Sequence, residues 1–376
     1  MLYNSSVLKG VVYIKFDLMT IWRQDDYNNP LYSVLISIKQ DFRHTPGVFS
    51  YLILKGENYM DFILLIVGFI LLIKCADMFV EGCSNLAKFF GVSTLIIGLT
   101  IVAFGTSAPE AAVSLIASIN GNNDITMGNI VGSNIANLLL ILGASGLFAP
   151  LVAKKKIIYR DYVYSLLTYL VLFIMAAGYF FAGAKTAIVT RTDGCLLLCF
   201  LAIYLYSLLV DARKSARESK AEKAEGKKKF ELKNIPFMIF GIIGIIVGGR
   251  FVVDSATNIA TFLGVSQTVI GLTIVAVGTS LPELVTSIVA VRKGETDMAI
   301  GNILGSNIFN ILFILGLTSI VSPVSFAFVS FIDIIIMSLA GIVVFFFILK
   351  NYRIGRLKGV IMIVMYVLYN VYILIR

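Results

Sequence analysis

Apolar and polar positions in this chain alternate on the scale of a bilayer. From Met60 onward, long apolar runs are separated by short polar breaks. About twenty residues of helix cross the roughly 30 Å hydrocarbon layer, so each run reads as a transmembrane helix. Ten segments are predicted, at about 61–81, 93–119, 125–148, 160–183, 192–211, 235–256, 266–291, 297–320, 324–349 and 357–375. The one long hydrophilic interruption, 212–234, separates five segments from five. The expected fold is an all-α membrane protein with a first five-helix repeat over 60–211, a basic linker over 212–234 and a second five-helix repeat over 235–376.

Residues 1–59 break this pattern. They are mixed polar and aromatic, hold no run of twenty apolar residues and lack the n-region, h-region and cleavage site of a signal peptide. Met60 stands immediately before the first apolar segment, so translation is expected to start there, with the upstream residues an untranslated extension. Peptides from upstream of Met60 in natively expressed protein would contradict this. The alternative is a surface-lying amphipathic segment around Val11–Trp22.

The apolar pattern is written twice. Gly98-Leu-Thr-Ile-Val-Ala-Phe-Gly-Thr-Ser-Ala-Pro-Glu110 recurs as Gly271-Leu-Thr-Ile-Val-Ala-Val-Gly-Thr-Ser-Leu-Pro-Glu283, a constant offset of 173 residues. The match runs from Gly91–Pro150 to Gly264–Pro323, with roughly half the positions identical. Within it, Gly128-Asn-Ile-Val-Gly-Ser-Asn-Ile-Ala-Asn137 matches Gly301-Asn-Ile-Leu-Gly-Ser-Asn-Ile-Phe-Asn310. The first segments align at the same offset, placing Glu81 opposite Asp254 near helix ends, where a solvated or structural role is expected.

Composition agrees with the pattern: 58% of residues are hydrophobic, 14% are charged and mean hydropathy is +0.91. A soluble domain carries about 25% charge. The net charge of +9 does not indicate nucleic acid here, because Lys and Arg fall between apolar runs, where they set orientation. The linker holds nine of them and is placed in the cytoplasm. Counting outward, Lys88, Lys154–Lys156 with Arg160, Arg292–Lys293, and Lys350 to Lys358 also fall inside, leaving Lys185 and Arg191 outside. The loop 120–124 is then external and its counterpart 293–297 internal, so the repeats are inverted. The protein is expected to be a multi-pass component of the cell membrane, the cytoplasmic membrane if prokaryotic.

Chemistry is confined to a few residue types. His44, the only histidine, lies in the N-terminal region, which removes a histidine metal site and Ser-His catalysis. The four cysteines show no CxxC pairing and read as small core residues. Glu110 and Glu283 each sit mid-segment, directly after Pro109 or Pro282, where a lone carboxylate is costly and needs partners. Proline removes a helical hydrogen bond, freeing carbonyls of the preceding turn, around Ala103–Thr106 and Ala276–Thr279. With Thr106, Ser107, Thr279 and Ser280 these form an oxygen-rich site suited to Ca²⁺ or Na⁺. Ser133 and Asn137, like Ser306 and Asn310, stand four residues apart on one helix face and are candidate neutral ligands. Gly128, Gly132, Gly301 and Gly305 allow close helix approach. Asn129, Asn134, Asn302 and Asn307 divide between ligands and caps or interhelical hydrogen bonds.

The duplicated GTSxPE and GNxxGSNxxN motifs resemble the α-repeats of the cation/Ca²⁺ antiporter superfamily, specifically the sodium/calcium exchanger family and its short prokaryotic members. The resemblance covers Met60–Arg376. It implies ten helices in two inverted repeats, the second, third, seventh and eighth forming the ion core. It further implies that Glu110 and Glu283 are shared Ca²⁺ and Na⁺ ligands, with backbone oxygen from the Thr106 and Thr279 region. Ser107, Ser133, Asn137, Ser280, Ser306 and Asn310 would line Na⁺ and water positions. Asn310 stands where some members carry an acid, which bears on stoichiometry and leaves K⁺ a further candidate substrate.

The function that follows is secondary antiport of Na⁺ against Ca²⁺ by alternating access, with no cofactor, no enzymatic activity and no obligate protein partner. The partners are the ions and the lipid bilayer. Two ionised glutamates balance one Ca²⁺, whereas three Na⁺ leave one net charge. If the family's three-for-one exchange applies, that charge is worth about 2.3 kcal/mol per 100 mV. The rival is a Ca²⁺/H⁺ antiporter, disfavoured by Asn310 in place of an acid. A cation channel leaves the inverted repeat without a purpose, and an intramembrane enzyme lacks a nucleophile beside a base.

Overall fold

A computed structural model describes residues 59–222, 234–264 and 276–375. The expectations for residues 1–58 lie outside the described residues. Twelve helices are labelled in chain order: α1 Tyr59–Phe90, α2 Thr94–Thr106, α3 Ala108–Ile119, α4 Asn123–Phe148, α5 Ile157–Phe181, α6 Arg191–Glu222, α7 Asn234–Phe262, α8 Ala276–Thr279, α9 Leu281–Arg292, α10 Thr296–Val321, α11 Phe328–Leu349 and α12 Arg356–Ile375. Among the described residues, eight of these are long and apolar enough to cross a membrane, and the α2/α3 pair, bent by 46°, counts as a ninth. The expected segment 266–291 is described only from Ala276 on.

Three local expectations are corrected. The segment expected at 93–119 is broken at Ser107, whose ψ of 6° interrupts the helix, and Pro109 falls in the first turn of α3, where its missing N–H costs nothing. Helix α6 runs on to Glu222, so half of the expected linker is helical. The stretch is rich in Ala, Lys, Arg and Glu, strong helix formers, and Lys214 and Glu218 meet at 4.0 Å one turn apart. The fold is also not purely helical: β1 (Leu151–Val152) pairs with β4 (Arg353–Ile354), and β2 (Thr186–Val189) with β3 (Val324–Ala327), both antiparallel. These extended connections satisfy each other's backbone groups at the helix ends.

The strand pairs locate the loops. β1 and β2 lie at opposite ends of α5, and β3 and β4 at opposite ends of α11. β1 and β3, which follow corresponding helices of the two repeats, therefore stand at opposite ends of the helical bundle. The repeat is also legible in the backbone. Gly91 and Gly264 share positive φ (67° and 80°), as do Gly121 and Gly294 (78° and 80°), each pair 173 residues apart and each at a helix C-terminus that only glycine enters without strain.

Helices α4 and α10 are the centre. Their most apolar windows are 78% and 83% buried, against 22–39% for α1, α5, α6, α7, α11 and α12. The outer helices instead expose Phe69, Ile203, Phe240, Phe346 and Leu368, the apolar surface that faces lipid. The close approach expected of Gly301 and Gly305 is present: a Cβ at Gly301 would stand 2.7 Å from the Leu95 carbonyl oxygen, and one at Gly305 2.6 Å from the Ala103 Cβ. For Gly128 and Gly132 nothing lies within 4 Å among the described residues.

Glu81 is half-exposed and meets the Lys293 ammonium at 3.4 Å, which Asp77 also meets at 3.0 Å. Its role is thus a surface ion pair, and Asp254 is exposed. Of the cysteines, all free, Cys83 is buried and Cys75 half-buried against α7, whereas Cys195 and Cys199 are exposed on α6 and are not core residues.

Candidate cation site

The breaks after Thr106 and Thr279 turn the two glutamates into the middle of the bundle. Ser107 and Ser280 occupy the breaks with nearly the same backbone (φ −82°, ψ 6° and φ −91°, ψ 6°), and Glu110 and Glu283 follow in the first turns of α3 and α9, each 1% exposed. Each break-point serine reaches across to the other repeat's glutamate: Ser107 Oγ donates to Glu283 Oε1 at 2.9 Å, and Ser280 Oγ to Glu110 Oε1 at 3.4 Å. Ser306 Oγ adds a second donor to Glu283 Oε1 at 3.4 Å, while Ser280 Oγ lies 3.3 Å from Ser133 Oγ. These partners are hydroxyls, so they leave the carboxylate charge uncompensated.

A second shared layer holds the breaks in place. Asn129 Nδ2 donates to the Glu110 carbonyl (3.1 Å) and to Ser114 Oγ (2.9 Å). Asn302 Nδ2 does the same for the Glu283 carbonyl (3.4 Å) and Ser287 Oγ (2.9 Å). The oxygen of each amide then accepts a threonine from the opposite repeat: Thr106 Oγ1 to Asn302 Oδ1 at 3.1 Å, Thr279 Oγ1 to Asn129 Oδ1 at 3.3 Å. Asn129 and Asn302 are thus braces, and the Thr106 hydroxyl, 3.0 Å from the Val102 carbonyl as well, sits between its own helix and the Asn302 amide.

The third pair is made by the ends of the second motif. Asn137 Nδ2 donates to Asn307 Oδ1 at 3.0 Å and Asn310 Nδ2 to Asn134 Oδ1 at 3.3 Å. With their donors engaged, Asn137 and Asn310 keep Oδ1 buried and without a partner among the described residues, and Glu110 Oε2 and Glu283 Oε2 are in the same condition. Four buried acceptor oxygens, two from each repeat, face no donor. An unsatisfied buried acceptor is costly, and a hard cation with oxygen ligands removes that cost for several at once. Among the described residues no cluster of three His, Cys, Asp or Glu side chains offers a transition-metal site. At Asn137 and Asn310 both central helices widen into π-helical turns, Ala136–Ile141 and Asn310–Leu315, a local expansion found often at functional positions.

Hydrogen bonds bring together Glu110, Glu283, Ser107, Ser133, Ser280 and Ser306, pair Thr106 and Thr279 with Asn302 and Asn129, and pair Asn137 and Asn310 with Asn307 and Asn134; one expectation is corrected. The Ala103 carbonyl is not free: it accepts the Ser107 N–H at 3.0 Å and the Thr106 hydroxyl at 3.4 Å. The donor missing at Pro109 would have served Gly105, four residues back. Beside Ala276 the Ser280 N–H turns instead to the Val277 carbonyl at 3.2 Å, so the two breaks are not identical. The sequence reading passed over Ser114 and Ser287, which carried a legible signal: both stand four residues after the glutamate, 173 apart. It also passed over Tyr169, which has no counterpart in the other repeat.

A helical membrane protein in which two copies of one motif pool carboxylate, hydroxyl and amide oxygens at mid-bundle belongs, by class, to the membrane transporters of cations. Residues 60–210 and 233–375 match the family described as sodium/calcium exchanger protein, and the chain belongs to that family. It is 40% identical over 270 residues to the inner membrane protein YrbG of Escherichia coli, covering 69% of this chain and 79% of that one. It is 33% identical over 345 residues to the sodium/calcium exchanger MaX1 of Methanosarcina acetivorans, covering 83% and 98%. Among solved structures, the sodium-calcium exchanger NCX_Mj soaked with Na⁺ and Sr²⁺ superposes with a TM-score of 0.70 at 30% identity, covering 83% of this chain and 98% of that one. The protein is thus a multi-pass membrane protein of a transporter family.

Proposed function

We propose that this chain exchanges Na⁺ for Ca²⁺ at one midplane site in which Glu110 and Glu283 are the charged ligands and Asn137 and Asn310 the neutral ones. The observation that carries this reading is the set of four buried, partnerless acceptor oxygens contributed equally by the two repeats. Ser107, Ser280 and Ser306 bond the other oxygen of the same two carboxylates and Ser133 lies against Ser280, and each carries a hydroxyl lone pair for a smaller ion. Exchange follows from sharing: Ca²⁺ and Na⁺ need the same carboxylates, so one excludes the other. Two carboxylates neutralise one Ca²⁺ outright, and the low dielectric of the bundle centre penalises crossing with the site uncompensated.

Alternating access rests on an architecture of ten helices in two inverted five-helix repeats, 60–211 and 235–376, joined by a basic cytoplasmic linker. What supports the inversion is the placement of β1 and β3 at opposite ends of the bundle. Asn310, in place of an acid, limits the core to two carboxylates and favours Na⁺ over H⁺ as the counter-ion.

The testing experiment is Ca²⁺ uptake into proteoliposomes preloaded with Na⁺ and diluted into Na⁺-free buffer, with the pH gradient collapsed and K⁺ present or absent. Uptake that requires internal Na⁺ is expected. Uptake driven only by an imposed proton gradient would move the assignment to Ca²⁺/H⁺ antiport. The unequal serine bonds supply a finer expectation. Ser107→Ala removes the 2.9 Å bond and should raise the half-saturating Ca²⁺ concentration about threefold to tenfold, more than Ser280→Ala, which removes one of 3.4 Å.

A further inference from the structure

The two repeats treat their neutral ligands differently, and the difference ends at a tyrosine. On one side the hydrogen bonds form a directed chain: Asn137 Nδ2 donates to Asn307 Oδ1 (3.0 Å), Asn307 Nδ2 donates to Tyr169 Oη (2.8 Å), and Ser165 Oγ donates to the same phenol oxygen (3.1 Å). Every member is buried. On the other side Asn310 Nδ2 reaches Asn134 Oδ1 at a longer 3.3 Å, and there the chain stops, because Asn134 Nδ2 has no partner among the described residues. The residue 173 positions after Tyr169 is Ile342, which offers no polar atom.

We propose that Tyr169 is a positioning residue of the cation site, fixing through Asn307 the direction in which the Asn137 amide points. An amide turned end for end presents N–H groups in place of oxygen, and an N–H donor facing a cation repels it. Asn307 Nδ2 and Ser165 Oγ both donate to the phenol oxygen; reversing Asn137 alone would set oxygen against oxygen, reversing Asn307 alone would set N–H against N–H, and reversing both would require the phenol to turn from acceptor to donor toward Asn307. Asn137 is thereby held as an oxygen ligand before any ion arrives, which lowers the ordering cost of binding. Asn310, lacking such an anchor, is the ligand that adapts. Tyr169 itself has room because position 341 is glycine: a Cβ there would stand 2.9 Å from its ring Cε2.

This inference rests on the proposed site, and its test separates the two. Ca²⁺ binding to purified full-length protein is measured by calorimetry, and half-saturating Ca²⁺ and maximal exchange rate in proteoliposomes, for wild type, Glu110→Gln, Tyr169→Phe, Asn137→Ala and the double variant Tyr169→Phe/Asn137→Ala. Tyr169→Phe keeps the ring and its packing. It is expected to weaken Ca²⁺ binding and raise half-saturation about fivefold to tenfold, with the maximal rate within about twofold of wild type. In the Asn137→Ala background it should change affinity no further, because its effect passes through that amide. Unchanged affinity in Tyr169→Phe, or effects that add in the double variant, would overturn the inference while loss of binding in Glu110→Gln still upheld the site. Retained binding in Glu110→Gln would overturn the site itself. Should Tyr169→Phe not yield folded protein, Gly341→Ala displaces the ring from the other side and must weaken Ca²⁺ binding in the same way.

Discussion

Glu110→Gln or Glu283→Gln is expected to abolish Na⁺-dependent Ca²⁺ flux while leaving the protein folded. Glutamine keeps the volume and an oxygen that still accepts the serine hydroxyl, Ser280 on Glu110 or Ser107 on Glu283. What it removes is one of the two negative charges that pay for dehydrating a divalent ion. Truncating one partner of a buried charged contact costs about 2–5 kcal/mol, which is about thirty-fold to several thousand-fold in affinity. The neutral side chain also removes a charge from the bundle centre, so stability should hold or rise. Vesicle flux beside thermal unfolding of the same preparations checks both halves. Retained flux in either variant would refute the ligand assignment.

Gly98→Ala and Gly301→Ala are expected to act on the fold. Helices α2 and α10 touch backbone to backbone here: a Cβ at Gly98 would stand 2.5 Å from the Met298 carbonyl oxygen, and one at Gly301 2.7 Å from the Leu95 oxygen. Neither neighbour is a flexible side-chain end, so the helices must separate. Overpacking of this kind costs about 1–3 kcal/mol. It also pulls apart α2 and α10, which carry Thr106 and its acceptor Asn302. Gly105→Ala is the control, since its nearest neighbour is the Ile242 Cδ1 at 3.1 Å, the movable tip of a side chain. The first two variants should unfold at clearly lower temperature in detergent and lose exchange; the third should do neither.

The candidate site was legible in the sequence through its repetition. A carboxylate after a proline, twice at one offset inside apolar segments, is rare enough that Glu110, Glu283 and their serines could be named with their chemistry. Pro109 marked a missing helical hydrogen bond in the 93–119 segment, but the break itself, at Ser107, required the backbone. What stayed hidden was anything the repeat does not double. Tyr169 reads as one more aromatic residue in an apolar helix, and only the distance to Asn307 gives it a role. The continuation of α6 to Glu222 was masked by charge: a hydrophilic stretch marks the end of a membrane segment, but helix propensity carries the helix past it. The part played by Asn129 and Asn302 was likewise undecidable from spacing, because a ligand and a brace occupy the same helix face and differ only in whether the amide oxygen is already taken.

The central claim is that one buried set of oxygens from both repeats serves Ca²⁺ and Na⁺ in turn. Calorimetric Ca²⁺ titration of the purified protein at increasing Na⁺, with osmolarity and chloride held constant, tests it most directly. Apparent Ca²⁺ affinity should fall as Na⁺ rises, more steeply than one-for-one because more than one Na⁺ replaces each Ca²⁺, and Glu110→Gln and Glu283→Gln should each remove the binding. Ca²⁺ affinity that is indifferent to Na⁺, or that survives both substitutions, would contradict the account.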